Sequence, residues 1–293
     1  MVDTEIYQPV IPRAVQEHTI RGVRYSVNVW GEPDAPLLIY LHGWGDTGST
    51  FQFVADVLGA EWHIVAPDWR GFGRSHCDCS SYWFPDYLAD LHELLELYSA
   101  TQPARLIGHS MGANVAALYA GVMPNRVQAF VNVEGFGLVD SNPAEAPARY
   151  RDWLAQLGSG TRFSSYESFA SLAARIRSRS PRMSEAAAEF VAREWASRGD
   201  DGVIRLRADP RHKLPNPVLY RRAEAAACWQ ATTANVLVVT GSRSRFADRF
   251  QSAAGSAYPD AETATIDGAG HMLHFETPRE LAGAVSNFLQ PTL

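Results

Sequence analysis

The sequence predicts an α/β protein in which helices cover both faces of a mostly parallel β-sheet. The first observation behind this fold class is a series of short segments that are apolar on nearly every residue, which is typical of parallel strands buried on both faces. The second is that helical patterns separate these segments, so that strands and helices alternate along the chain. The apolar segments are residues 37–41, 64–66, 106–107, 127–133 and 236–239.

Local patterns of polarity predict the individual elements in order. Polar and apolar residues alternate from 18 to 30 around Arg21 and Gly22, which predicts an antiparallel hairpin at the start of the sheet. Helical periodicity follows in three segments, 47–58, 86–98 and 113–122. The last part of the chain is predicted to form two strands and a closing helix, at 236–241, 262–267 and 278–289.

The alternation stops between residues 137 and 234, where helical patterns rich in Ala, Arg and Glu are interrupted by prolines. We interpret 137–234 as a helical cap, or lid, inserted after the sixth strand into a core domain formed by 1–136 and 235–293. The cap contains 15 basic and 11 acidic residues, whereas the core contains 11 basic and 21 acidic residues. A solvated, arginine-rich surface is the favoured explanation, and attraction of an anionic substrate is the alternative.

The composition is that of a globular protein with a large core, since 46% of the 293 residues are hydrophobic and 20% are charged. The net charge of −6 argues against a protein that mainly binds nucleic acid or an anionic membrane. The first ten residues contain no apolar run, so we expect no signal or membrane anchor and a cytoplasmic location. Three cysteines, Cys77, Cys79 and Cys228, predict neither a disulfide framework nor a metal site.

The clearest chemical signal is Gly108-His109-Ser110-Met111-Gly112, a G-x-S-x-G sequence between an apolar strand and a small-residue helix. A turn this sharp needs glycine on both sides of the serine, because side chains at those positions would clash. The strained backbone pushes the serine hydroxyl into a cleft. The motif therefore predicts Ser110 as a nucleophile.

A second signal is the loop His42-Gly43-Trp44-Gly45, which follows the first fully buried strand. A glycine-rich loop in this position can direct a backbone N–H group at a developing oxyanion. We predict the Trp44 N–H as one donor and the Met111 N–H, at the positive end of a helix dipole, as the other. His42 is interpreted as a residue that shapes the turn rather than as a base.

A third signal is the glycine-rich turn 267–271, which follows the last predicted strand and ends in His271. This histidine is predicted to take the Ser110 proton during attack and to return it to the leaving group. His274, three residues further on, is predicted to line the substrate pocket or to begin the next helix.

These motifs resemble the α/β-hydrolase superfamily with a helical cap after the sixth strand, over residues 20 to 290. The segment 68–75, Asp-Trp-Arg-Gly-Phe-Gly-Arg-Ser, is similar to the D-x-R-G-x-G-x-S loop of the esterase, epoxide hydrolase and haloalkane dehalogenase branches. The resemblance implies an eight-stranded, mostly parallel sheet. The last two branches have Asp where this chain has Ser110, and their alkyl-enzyme route needs a carboxylate nucleophile, so both activities are disfavoured.

The acid of the implied catalytic triad departs from the commonest family pattern, in which Asp follows the seventh strand as G-x-x-D. Ser244 occupies that position here, and a neutral serine cannot stabilise an imidazolium ion. Glu134, at the end of the sixth strand, resembles the acid of some dehalogenases and lipases. Its surroundings also resemble the E-G-x-G segment of bacterial serine-hydrolase-like proteins, which share the H-G-W-x-D loop that ends here in Asp46. We favour Glu134 over Asp248; its alternative role is to fix the hinge of the cap.

Motifs and resemblance together predict a serine hydrolase of the carboxylesterase type that cleaves a small or medium ester through an acyl-enzyme. We expect no cofactor and no metal ion, because the chain supplies the nucleophile, the base and the oxyanion donors. The alternatives are cleavage of a carbon–carbon bond or a thioester, and a ligand-binding protein with little turnover. The expected partner is a small-molecule ester, with no nucleic acid or membrane. The residues expected to contact it are His109, Phe136, Trp69, Trp83 and His274.

Overall fold

The computed structural model describes residues 6–246 and 258–289. Its strands are β1 (Ala14–Ile20), β2 (Val23–Trp30), β3 (Leu37–Leu41), β4 (His63–Pro67), β5 (Ala104–His109), β6 (Val127–Val133), β7 (Ser165–Tyr166), β8 (Ala196–Arg198), β9 (Ile204–Leu206), β10 (Asn235–Gly241) and β11 (Glu262–Ile266). Its helices are α1 (Gln52–Leu58), α2 (Phe84–Tyr98), α3 (Met111–Val122), α4 (Ala146–Ser159), α5 (Phe169–Arg177), α6 (Glu185–Trp195), α7 (Arg222–Gln230), α8 (Leu273–Glu276) and α9 (Pro278–Leu289).

Eight of the strands form one sheet in the order β1-β2-β4-β3-β5-β6-β10-β11. The pairs β1–β2 and β2–β4 are antiparallel, and the remaining neighbours are parallel. The predicted mostly parallel, eight-stranded sheet is thereby confirmed. The predicted hairpin is also present, with its turn at Arg21 and Gly22, whose φ angles of 49° and 76° suit the tight turns that join twisted strands.

Helices pack on both faces of this sheet, which explains why its central strands are apolar on successive residues. Along β5, Leu106 contributes to the hydrophobic cluster shared with α2 and α3, whereas Ile107 contributes to the cluster shared with α1 and α9. Successive side chains of a strand point to opposite faces, so both must be apolar when both faces are covered. The closing helix has the predicted bounds. The first helix differs at its start, where the 3-10 turn Gly48–Phe51 precedes α1.

The chain between β6 and β10 contains α4 to α7 and a small antiparallel sheet of order β7-β9-β8. The sequence analysis expected helices alone here, because strands of two or three residues are too short to show an alternating pattern. Helix α7 packs on the core helix α3 so closely that a Cβ at Gly121 would overlap the Cys228 carbonyl. The inserted segment is therefore anchored to the core through its last helix.

Among residues 6–246 and 258–289, no helix has the length and apolar composition needed to cross a membrane.

The structure pairs Cys77 with Cys79, whose Cα atoms are 5.1 Å apart, in the loop between β4 and α2. This local pair was not expected from the sequence.

Candidate active site

Ser110 lies at the sharp turn between β5 and α3. Its backbone has φ 51° and ψ −111°, a conformation that L-residues rarely adopt. A Cβ at Gly108 would overlap the backbone of Ala113, and a Cβ at Gly112 would overlap the Leu41 carbonyl. Both flanking glycines are thus required, as the motif predicts. The turn leaves Ser110 partly exposed, at the carboxyl end of the central strands.

Glu134 is the first residue after β6, the strand next to β5 in the sheet. The Ser110 N–H donates to the carbonyl of Val133 at 2.9 Å. This hydrogen bond connects the backbone of Ser110 to the residue directly before Glu134. Glu134 also has a positive φ, 58°, and is 1% exposed. Its carboxylate accepts hydrogen bonds from the Gly241 N–H at 2.8 Å and from the Ser244 hydroxyl. The carboxylate is therefore fixed by donors from the end of β10 and the loop after it.

His271 completes this group from the turn after β11. Its Nδ1 lies 3.0 Å from Oε2 of Glu134. Its carbonyl oxygen lies 2.9 Å from Nε2 of His109, the residue before Ser110, and the two imidazole rings are 4.8 Å apart. Phe246 packs edge-on against the His271 ring at 4.8 Å. The histidine is held on several sides, and its side chain remains 20% exposed.

The family follows from comparison with known proteins. A family model described as the alpha/beta hydrolase fold matches residues 36–278. The chain belongs to this family. A serine hydrolase-like protein of Danio rerio is 25% identical over 281 residues, which cover 90% of this chain and 84% of the relative. The 2-(acetamidomethylene)succinate hydrolase of Mesorhizobium japonicum is 23% identical, over 91% of this chain and 92% of its own.

The solved structures agree with the fold. The thioesterase domain from the curacin biosynthetic pathway superposes on this hydrolase with a TM-score of 0.85 at 26% identity, over 94% of this chain and 99% of that domain. A hypothetical protein of Pseudomonas aeruginosa PAO1 gives a TM-score of 0.82 at 26% identity. The protein is accordingly a hydrolase of the α/β-hydrolase family with the usual mostly parallel sheet.

The loop that carries Trp44 passes directly beside the serine of this hydrolase. A Cβ added at Gly43 would lie 3.2 Å from the Ser110 Cβ and 2.8 Å from Nδ1 of His109, so only glycine allows this approach. Met111 is the first residue of α3, where N–H groups have no partner inside the helix and the helix dipole is positive. Gly43 and Met111 thus lie beside Ser110, and the oxyanion donors expected at Trp44 and Met111 stay a prediction.

A cavity of about 160 Å³ opens beside Met111, with residues of the segment between β6 and β10 on one side. Trp83, expected from the sequence to contact substrate, lies in its lining. Phe136 is half-buried next to Phe246, whose ring also contacts His271. The lining residues are Trp44, Ser81, Tyr82, Trp83, Phe84, Tyr87, Met111, Trp153, Arg211, His212, Leu214, Pro215, Asn216 and Pro217.

Three other residues expected to contact substrate lie in the core and are absent from the lining of this cavity. Trp69 donates through its backbone N–H to Nε2 of His42 at 2.8 Å and through its indole to the His42 carbonyl at 3.0 Å. This supports the structural role assigned to His42, whose pKa is lowered to about 4 by burial. His109 and His274 are likewise buried. All three side chains are buried, and the substrate contacts expected of them stay a prediction.

Sequence reasoning missed a second carboxylate–histidine pair, between Asp46 and His274. Oδ2 of Asp46 lies 2.9 Å from Nε2 of His274, and both side chains are buried. The other oxygen accepts from the Thr50 hydroxyl at 2.9 Å and from the Trp195 indole, in the inserted segment, at 2.7 Å. Burial acts to raise the pKa of Asp46, but the nearby histidines lower it below its usual range. The sequence signal for this pair was Asp46, the last residue of the H-G-W-x-D motif.

Asp46, His274 and His109 also form a donor set that a metal ion could use, since their ligand atoms lie within 4.8 Å of one another. The Asp46 carboxylate already has three partners, and the three side chains are enclosed in the core. We therefore assign this group a structural role that ties the loop after β3, the Ser110 turn and the inserted segment together. Asp248, the alternative acid, lies outside the described residues.

Proposed function

We propose that this protein is a serine hydrolase that cleaves a small or medium carboxylic ester through an acyl-enzyme. The observation that carries the proposal is the contact of the Glu134 carboxylate with His271, beside the turn that bears Ser110. A carboxylate on Nδ1 favours the tautomer that carries a proton there, which leaves Nε2 able to accept another proton. The pair is buried on the Glu134 side and open to solvent on the His271 side, as a proton-transfer group requires.

In the proposed reaction, Oγ of Ser110 attacks the ester carbonyl carbon while its proton passes to Nε2 of His271. The carbonyl oxygen becomes an oxyanion that the backbone N–H groups of Trp44 and Met111 stabilise. The carbon–oxygen bond to the alcohol then breaks, and His271 returns the proton to the leaving alkoxide. Water repeats the sequence on the acyl-enzyme, which releases the carboxylic acid and restores Ser110.

A thioester is the second candidate substrate. The specific reason is the high similarity to a thioesterase domain, with a TM-score of 0.85 over nearly the whole chain. The same residues in the same roles would attack a thioester carbonyl, with a thiolate as the leaving group. Parallel assays of an ester and a thioester with the same acyl group decide between the two.

The experiment that tests the proposal is labelling with a fluorophosphonate, followed by peptide mapping. We expect rapid labelling at Ser110 in the wild type, none in Ser110→Ala, and slower labelling in Glu134→Gln. The reagent reacts with an activated serine whatever the natural substrate is, so the substrate need not be identified first. A folded wild-type protein that stays unlabelled would refute the hydrolase and favour a binding protein of the same fold.

A further inference from the structure

Half of the residues that line the cavity beside Met111 carry flat rings, and these rings come from both parts of the chain. Trp44 belongs to the loop after β3, Trp83 directly precedes α2, and Trp153 belongs to α4 of the inserted segment. The Trp83 and Trp153 rings meet edge to face, with centroids 6.4 Å apart. Indole rings in such arrangements offer further edge and face contacts, which a third ring satisfies better than an aliphatic chain does.

Arg211 is the charged side chain of the same lining, and it already has a carboxylate partner. The Arg211 guanidinium lies 2.6 Å from a carboxylate oxygen of Asp209, and that carboxylate also accepts from the Tyr82 hydroxyl at 2.8 Å. The His212 ring stacks on Tyr82 at 3.6 Å, and burial lowers the pKa of His212 to about 4, so it is neutral at pH 7. In the part of the chain that the structure describes, this lining offers an anion no positive charge without a carboxylate partner.

The size of the cavity limits the group that it can hold. Its volume is about 160 Å³. An apolar cavity of roughly 150 Å³ in a protein core is sufficient for one benzene molecule. A single six-membered ring therefore fits, whereas the second ring of a fused bicyclic group would extend beyond the cavity toward solvent.

We propose that this cavity binds one uncharged, single-ring aromatic group of the substrate, attached close to the ester carbonyl. This inference rests on the proposed hydrolase function, because the cavity borders Met111 and Trp44, the two residues that would hold the carbonyl oxygen. An uncharged aromatic group argues against the anionic substrate that the positive charge of the inserted segment suggests. The basic residues of that segment then belong to its solvated surface.

The test compares kcat/KM for four methyl esters: phenylacetate, cyclohexylacetate, naphthylacetate and a phenylacetate with a para-carboxylate. Benzyl acetate and cyclohexylmethyl acetate present the same rings from the alcohol side. We expect the phenyl ring to exceed the cyclohexyl ring about tenfold on at least one side of the ester. The naphthyl ester should gain nothing over the phenyl ester, because its second ring extends beyond the cavity. The carboxylate should fall at least a hundredfold below the phenyl ester, because no unpaired positive charge in the lining compensates a buried charge.

Two substitutions in α4 test whether the preference for a phenyl over a cyclohexyl ring arises in the cavity. Trp153→Ala should bring the phenyl-to-cyclohexyl ratio close to one, whereas Tyr150→Ala, three residues away and half exposed outside the lining, should leave the ratio unchanged. A wild-type ratio near one, a ratio that Trp153→Ala does not alter, or equal rates for the carboxylate and the neutral ester would each overturn the inference.

A binding measurement separates this inference from the proposed function. Benzyl methyl ketone and cyclohexylmethyl methyl ketone, both uncharged and resistant to hydrolysis, are titrated calorimetrically into Ser110→Ala. Preference for the benzyl ketone that Trp153→Ala removes supports the cavity assignment even if the wild type is never labelled by a fluorophosphonate. Labelling at Ser110 without this preference supports the hydrolase and refutes the aromatic site.

Discussion

The protein contains two buried carboxylates that each hold a histidine from the segment after β11. Glu134 lies 3.0 Å from His271, and Asp46 lies 2.9 Å from His274. The His271 side chain is 20% exposed next to the Ser110 turn, whereas the His274 side chain is 0% exposed. Almost the same distance therefore occurs in two surroundings: the first histidine is open to solvent and the second is fully enclosed.

The role of a carboxylate–histidine contact therefore depends on the solvent access of the histidine and on the other partners of the carboxylate. Glu134 accepts from Gly241 and Ser244, both at the end of β10 or just after it, which leaves the far side of His271 open. Asp46 accepts instead from Trp195 of the inserted segment, which closes its surroundings. A buried ion pair of the second kind mainly secures one arrangement of the chain.

The largest expected effect comes from Glu134→Gln. An amide cannot stabilise the imidazolium that forms during attack, and it can hold His271 in the wrong tautomer, so kcat on an activated ester should fall by about 10³ to 10⁴-fold. Asp248→Asn is the matched control and should change kcat less than tenfold. Steady-state kinetics of both variants decide the point; the opposite pattern would assign the acid to Asp248.

The next largest effect is expected in stability rather than in rate. Asp46→Asn removes the carboxylate that lies against His274 and weakens the acceptor of the Trp195 indole, so the free energy of unfolding should fall by about 3 kcal/mol. The change in kcat for the folded variant should stay below tenfold. Urea denaturation and ester kinetics measure the two quantities. A loss of activity as large as that of Glu134→Gln, with unchanged stability, would contradict the distinction between the two pairs.

A dependence on pH should accompany the buried histidines. Burial lowers the pKa of His42 from 6.5 to about 4, so the folded state favours its neutral form. This contribution to stability is complete above pH 6.5 and is lost as the pH falls toward 4, by about 2 kcal/mol between pH 7 and pH 5. His212, with a pKa lowered to about 4, acts in the same direction.

Urea midpoints at pH 7, 6 and 5 test this expectation. The wild type should lose stability over this range, and His42→Gln should lose clearly less, because glutamine does not titrate. Asp46, whose pKa is lowered, should add a further loss only below about pH 4, where its carboxylate protonates in the unfolded chain. Equal slopes for the wild type and His42→Gln would show that His42 is not the group responsible.

The smallest expected effect concerns Ser244, whose hydroxyl donates to the Glu134 carboxylate. Ser244→Ala removes one hydrogen bond to the carboxylate, worth about 1 kcal/mol, and should lower kcat about fivefold. Ser244→Thr keeps the hydroxyl and should restore most of the rate. Equal rates in all three proteins would mean that Gly241 alone suffices to orient the carboxylate.

The sequence by itself predicted the strand order along the chain, the turn at Ser110 and the position of the closing helix. These features depend on local signals, namely apolar runs, flanking glycines and helical periodicity, which operate within a few residues. The choice of Glu134 over Asp248 came from the same kind of signal and from a resemblance. The contact of Glu134 with His271 is consistent with that choice.

The environment and the partner of His274 became known only from the tertiary structure. The glycine-rich turn predicted His271 as the base, but no local pattern indicates that His274, three residues further on, is enclosed and lies against Asp46, more than 200 residues earlier. The short strands of the inserted segment and the meeting of Trp83 with Trp153 are equally non-local. Burial and pairing across such separations depend on how the layers pack, because a residue's accessibility is a property of its neighbours in space and not in sequence.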